Sequence, residues 1–237
     1  AGTLFLPALR YLLASDMVEE VVIATRGQIP EILPRCSIID TGTLTSQVTL
    51  RRVLEKTRTE YLLLIPGPIP VLSRSFMLEK MIHAARSMNA ALVYSDYYED
   101  TGSDKIFHPL IDYQAGSVRD DFDFGHLVLL NVPYIRDVLN LFGETPPSSH
   151  GALYDLRLKL SIGHSIYRVP EALYSIITHR DEQNGMALFA YVDPRNQRIQ
   201  KEMESIFTDH LKRIDAYIAP DKLETMQEPV DPFPVKA

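Results

Sequence analysis

Apolar residues recur along this chain with two alternating periods. Leu4, Leu6, Ala8, Leu9, Leu12 and Leu13 return at helical spacing, and the β-branched run EEVVIATRG that follows reads as a strand closed by Gly27. CSIID gives a second short strand. In SQVTLRRVLEKT, Val48, Leu50, Val53 and Leu54 line one helix face behind Ser46 as N-cap. TEYLLLI is then apolar without a break, the pattern of a strand covered on both faces. It stops at PGPIP, because proline neither donates to a ladder nor fits a helix interior.

SRSFMLEKMIHAARSMN restarts a helix on a Ser cap, with Phe76, Met77, Met81, Ile82 and Ala85 inward, and yields at Asn89 to the strand AALVYSD. Strands alternating with helices predict a parallel, doubly wound sheet. Beyond Asp100 the rhythm breaks. TGSD reads as a turn, KIFHPLI as a short extended piece, QAGSVRDD as a polar loop and HLVLLNV as a buried strand. Two helical stretches, YIRDVLNLF and GALYDLRLKLSIG, flank the breaker GETPPSSH, and SIYRVPEALYSIITH reads as paired extended segments. A long last helix is expected over PRNQRIQKEMESIFTDHLKRIDAYI, with Asp193 as N-cap and Pro194 in its first turn. Its stripe is Ile199, Met203, Ile206, Phe207, Leu211, Ile214 and Ile218.

Charge sharpens one region. Between Tyr94 and Gly125 lie Asp96, Glu99, Asp100, Asp104, Asp112, Asp120, Asp121 and Asp123, against only Lys105 and Arg119. AALVYSD ends in a carboxylate, and ligands of open α/β sheets gather at the carboxyl ends of strands, so chemistry is expected here. A net charge of -7 and no basic cluster exclude a nucleic-acid backbone or an anionic membrane surface as the main partner. A single cysteine, Cys36, forms no internal disulfide, and neither a leader pattern nor a membrane-length apolar run is present, so a cytoplasmic protein is expected.

The layout from Leu9 to His179 resembles a family 2 glycosyltransferase. ALRYLLASDMVEEVVIAT is similar to that family's first helix and second strand, TEYLLLIPGPIPVLSRSFMLEKMIHAA to its strand, metal-binding turn and next helix, and ALVYSDYYEDTGSDKIFHPLIDYQ to the strand ending in Tyr-Ser-Asp with its polar hairpin. HGALYDLRLKLSIGHSIYRVPEALYSIITH resembles the helix carrying the catalytic Glu-Asp pair and the closing strand with Pro-Glu-x-Leu-Tyr. The resemblance implies a GT-A-like, Rossmann-like α/β three-layer sandwich with a mostly parallel mixed sheet and a long C-terminal helix. The domain would span 1–219, its first strand absent or lying upstream, with 220–237 a linker or tail into a further domain. It implies transfer of a sugar from a nucleotide-sugar to a glycan or other hydroxyl acceptor, aided by Mg²⁺ or Mn²⁺. Several motif positions differ. The nucleotide-binding aspartates are replaced by Ala24, Thr25 and Arg26, the Asp-x-Asp turn falls on Pro66, Gly67 and Pro68, and the Glu-Asp pair falls on Ala152 and Leu153. The same layout therefore also fits a catalytically degenerate module that binds glycan or supports an adjacent catalytic domain in a longer chain.

Inverting sugar transfer needs a carboxylate or equivalent base for the acceptor and positive charge for the departing diphosphate. Asp96 matches the family's strand-end aspartate and is the first candidate for donor binding; with Glu99 it could also hold the cation. The alternative for both is capping of a turn. In RDDFDFG, Asp120 is a donor-binding candidate and Asp121 a catalytic one, with Arg119 for a phosphate, or else the acids cap backbone N–H groups while Phe122 and Phe124 turn inward. Arg26 is a further phosphate candidate. Asp155, one turn from Ala152, is the candidate for a shifted base. His108 and His126 flank the segment as acid, base or ligand, or else as packed, hydrogen-bonded residues.

Overall fold

The computed structural model describes residues 5–25, 33–40, 45–65, 71–73, 76–178 and 197–219. In chain order they form α1 (Phe5–Leu13), β1 (Val21–Thr25), β2 (Cys36–Asp40), α2 (Gln47–Lys56), β3 (Tyr61–Leu64), β4 (Val71–Ser73), α3 (Met77–Ser87), β5 (Ala90–Asp100), β6 (Lys105–His108), β7 (Val128–Asn131), α4 (Val132–Phe142), α5 (Ala152–Gly163), β8 (Ser165–Ile177) and α6 (Gln197–Arg213). The fold is α/β with a mixed sheet and a long last helix. β1 and β2 pair in parallel, and a six-stranded sheet runs β3-β7-β5-β8-β4, with β6 added to β5 as a hairpin. Within that sheet β5 and β8 are parallel; β7 runs against both β3 and β5, and β4 runs against β8. β3 and β5 thus point the same way, as the βα rhythm predicts, with β7 inserted between them. Among the described residues no helix is long and apolar enough to cross a membrane.

The core forms around β5. Residues 90–97 of this strand are all buried, and Met77, Met81 and Ala85 of α3 pack into one cluster with them and with Leu129 and Leu130 of β7. Full burial of a side chain of that size stabilises by about 1.5–3 kcal/mol, so this face fixes the register of the central strand more firmly than any surface contact. The Ser cap expected for α3 is not found: the residue before Met77 is Phe76, with φ of 63° and no side-chain cap, and it is exposed rather than inward. The cap of α2 is where the sequence puts it. Ser46 accepts from the Thr49 N–H at the start of α2, and Asn131 does the same for Tyr134 at α4, with Pro133 in the first turn.

Three details of the strands and the last helix depart from the sequence pattern. β5 does not end at Asp96 but continues to Asp100, because Tyr97–Asp100 find partners on both sides, in β6 and β8. SIYRVPEALYSIITH is one strand rather than two. Its ladder breaks between Ser95↔Val169 and Tyr97↔Tyr174, so four residues of β8, 170–173, face the single residue Asp96. Pro170 lies in that irregularity, where no ladder N–H is required. The last helix stops at Arg213, and Asp215 takes a positive φ of 55°, leaving Ile214 and Ile218 exposed outside the stripe. The proposed cap Asp193, Pro194, the PGP turn, Arg26 and the 220–237 tail lie outside the described residues.

Candidate functional site

Among the described residues, Asp96, opposite the break, is the most deeply buried charged group on the sheet. Asp96 is 2 % exposed; its Oδ1 accepts the Leu110 N–H at 2.9 Å, and Arg168 Nη1 donates to Oδ1 and Oδ2 at 2.8 and 3.0 Å. Arg168 is held in β8 opposite Tyr94, and its Nε donates at 2.6 Å to Asp112, whose side chain is 73 % exposed. Asp112 first and then Asp96 raise the guanidinium's already high pKa. A carboxylate this buried needs such a partner, since an unpaired one costs several kcal/mol, roughly, in desolvation. Arg168 is a residue the sequence reading missed. The signal was an arginine inside the alternating strand run SIYRV, where a charge must have a buried partner.

Glu99 serves a different neighbourhood. Its Oε1 accepts from Thr178 Oγ1 at 2.6 Å and its Oε2 lies 3.0 Å from His108 Nε2, so β5, β6 and the residue just after β8 each contribute one side chain to a row. The Thr178 hydroxyl, with His108 behind it, holds the Glu99 carboxyl below its ordinary range against the opposing effect of burial. The His108 ring lies flat on Tyr97, 5.0 Å between centroids, and His126 meets the same tyrosine edge-on. Burial pushes His126 below the usual imidazole range. Tyr174 Oη accepts the His126 backbone N–H at 2.7 Å.

RDDFDFG divides into two parts. Phe122 and Phe124 turn inward against Tyr94 and Tyr113, and burial pushes the Tyr94 phenol up to about 12. Asp123 caps Gly125, and Asp121 forms a two-point ion pair with Arg119 at 2.8 and 2.7 Å on the open surface. Arg119 thereby lowers the Asp121 pKa, but a pair this exposed is screened by water and adds little to stability. Asp120 is exposed. The segment is pinned from below by Arg157 of α5, which is buried over the rings of Tyr113, Phe124 and Tyr154 and donates to the Ser117 and Arg119 carbonyls.

Asp155 belongs to a sealed environment. α5 is buried on nearly every side from Tyr154 to Leu160, so the three charges it carries must be neutralised inside. Asp155 is 1 % exposed; Lys159 Nζ sits 2.7 Å from its Oδ2 without hydrogen-bond geometry and donates instead to the Gly143 carbonyl, while Arg213 lies 3.7 Å from Oδ1. Ala152, at the position of the family's Glu, is fully buried. The N-terminus of this helix is closed by α6: Glu202 accepts the backbone N–H groups of Ser149, His150 and Gly151 at 3.1, 2.8 and 2.6 Å.

The acids singled out in sequence are therefore separated into local tasks. Among the described residues no group of three or more His, Cys, Asp or Glu side chains comes together to hold a metal ion. Asp96 is engaged by a guanidinium and a backbone N–H, and Glu99 by a hydroxyl and an imidazole, so these residues do not fit the Mg²⁺ or Mn²⁺ expected at Asp96 and Glu99. A shallow groove of about 290 Å³ between α2 and α4, lined by Leu50, Leu54, Leu139, Arg51, Arg58 and Arg136, contains none of the predicted residues.

No protein-family model matches the chain, and no curated protein matches it significantly. Among solved structures it is similar to 2-C-methyl-D-erythritol 4-phosphate cytidylyltransferase from Thermus thermophilus, at 17 % identity and a TM-score of 0.42, over 72 % of this chain and 81 % of that one. At that identity and score the likeness says nothing about chemistry.

Proposed function

We propose that this chain is a GT-A-like sugar transferase that takes a glycosyl group from a nucleotide-sugar and passes it to a hydroxyl of a glycan acceptor, without a bound metal ion. The carrying observation is Arg168, fixed by buried Asp96 and turning its Nε edge to exposed Asp112. A guanidinium presents paired donors that match phosphate oxygens, so the donor's diphosphate would take the place of the Asp112 carboxylate on that edge. Arg119, on the exposed surface, supplies further positive charge, and Asp120 and Asp121 lie beside it for sugar hydroxyls. Asp96 acts through Arg168, by holding it. The resemblance of the sequence from Leu9 to His179 supports the choice of reaction.

Titration calorimetry with UDP and GDP, in buffer containing a chelator, tests the reading. Arg168→Met should abolish binding, and Asp112→Asn should tighten it by removing a competing anion. Equal affinity in all three proteins, or no binding by the wild type, would sink the proposal.

A second reading has its own support. Asp155 is sealed against Lys159, and the Glu-Asp positions are Ala152 and Leu153, which suits a degenerate module that binds glycan or assists a catalytic domain elsewhere in a longer chain. Binding of oligosaccharide without any nucleotide affinity would favour it.

A further inference from the structure

Resting on the transferase reading, we infer that His108 is the general base of this protein, oriented by Glu99 and Thr178, and that the β5–β6 hairpin is where the acceptor hydroxyl enters. The family-like Glu-Asp positions hold Ala152 and Leu153, which have no base to offer, and Asp155 is enclosed with a lysine and does not reach an acceptor. The row Thr178–Glu99–His108 does reach solvent. Its side chains come from three adjacent chain segments, with contacts of 2.6 and 3.0 Å, and the His108 side chain is 38 % exposed while Glu99 is 14 % exposed. Cross-strand register puts the row on one face: Tyr97 lies opposite both His108 and Tyr174, and Glu99 lies opposite both Ile106 and Ile176. The face is rigid, because Tyr97 is stacked between the rings of His108 and Tyr174, at 5.0 and 5.5 Å. Asp96 stands within the break of the β5–β8 ladder, and Arg168 lies on β8 just before it, opposite Tyr94.

The chemistry follows from which nitrogen is engaged. With Nε2 donating to the Glu99 carboxylate, Nδ1 carries the lone pair that accepts a proton. The acceptor O–H proton passes to Nδ1 as its oxygen forms a bond to the anomeric carbon. The anomeric C–O bond to the nucleotide breaks, and its electron pair leaves with the diphosphate. One displacement of this kind inverts the anomeric centre. Glu99 stabilises the imidazolium that results, and the Thr178 hydroxyl keeps Glu99 in place. His126 and Asp123 flank the tyrosine platform from the loop before β7.

The experiment measures UDP or GDP release from UDP-glucose, UDP-N-acetylglucosamine and GDP-mannose, with methyl glycosides as acceptors, beside nucleotide affinity by calorimetry. His108→Gln should lower kcat by about 10²–10⁴-fold, the usual contribution of a positioned base, with nucleotide affinity unchanged. Glu99→Gln should lower kcat less, and free imidazole should restore part of the activity of His108→Ala, which a purely structural histidine would not show. Turnover of His108→Gln close to that of wild type overturns the base assignment while leaving transfer intact. Wild-type protein that binds nucleotide but releases none from any donor overturns transfer and the base together, and absence of nucleotide binding does so at the earlier step.

Discussion

Replacing Glu202 tests how α6 holds α5 in place. Its carboxylate accepts three backbone N–H groups from the residues leading into α5, at 2.6 to 3.1 Å, and four residues on Ile206 packs against Tyr154 and Leu158. Hydrogen bonds to a charged group contribute about 1.5–3 kcal/mol each, whereas loss of a helix cap costs about 0.5–2 kcal/mol because water replaces part of it. Glu202 is half-buried, so water reaches some of the orphaned donors in Glu202→Ala, and with three donors affected the cost falls at about 2–3 kcal/mol, above that of a single cap. At ~2–4 °C per kcal/mol for a domain of this size, the melting temperature should drop by about 5–10 °C. Glu202→Gln keeps one acceptor oxygen and should lose about half as much. Acid gives a second readout. Burial would raise the Glu202 pKa, but the bonds from His150, Gly151 and Ser149 outweigh it and the net shift is downward from 4.5. A carboxyl depressed on folding stabilises fully above its unfolded value and loses that contribution as pH falls through its folded one, so part of the wild-type decline below pH 4.5 should vanish in Glu202→Gln. Urea denaturation followed by circular dichroism from about pH 3 to about pH 7 measures both. Glu202→Ala within about 0.5 kcal/mol of wild type, the ordinary scatter of surface substitutions, would refute the capping role.

Asp155→Leu alone strands a buried ammonium and should cost about 3–5 kcal/mol, whereas Asp155→Leu with Lys159→Met should recover most of it; additive costs in the double-mutant cycle would show that the two do not act as a pair. Gly125 has φ of +72°, and a Cβ there would overlap Tyr174 Oη, so Gly125→Ala should lower the melting temperature and expose the His126 backbone N–H to hydrogen exchange; unaltered exchange would count against that close approach. Burial first, then Arg213 and Arg157, push the His210 pKa below 6.5, with Asp155 opposing. Its neutral form therefore stabilises fully above pH 6.5, and that stability is lost as pH falls through the folded value, so His210→Leu should flatten the urea midpoint below pH 6.5; an unchanged slope would exclude it.

Helix and strand identity was legible wherever one period dominated a segment. α2, α3 and α5 lie where the apolar spacing puts them, since each has a face or a whole circumference to bury. What the sequence hid was non-local. β5 is longer than its apolar run because Glu99 and Asp100 gain ladder partners in β6 and β8, a gain no local pattern records. SIYRVPEALYSIITH read as paired segments, yet β8 is one strand that passes through Pro170 at the one place where its ladder to β5 is interrupted beyond a single residue. The acids between Tyr94 and Gly125 suggested a cation site by their density alone. In space they divide among Arg168, His108, Arg119 and backbone N–H groups, and only the arginine inside SIYRV hinted at this. Glu202 lies more than fifty residues from the helix end it closes, and no spacing rule reaches that far.

The interruption between β5 and β8 has an evolutionary side. On one side of it lie Tyr94 and Arg168, on the other Tyr97, Tyr174 and the row ending in His108, with Asp96 in the gap. Four residues of β8 stand against one of β5 there, so the two blocks do not share a continuous ladder. A residue gained or lost within 170–173 would leave the registers of both blocks intact, because β5 runs unbroken beside them and holds Tyr94 and Tyr97 at a fixed separation. Lineages can thus resize the bulge itself without moving the arginine relative to the imidazole or refolding either half.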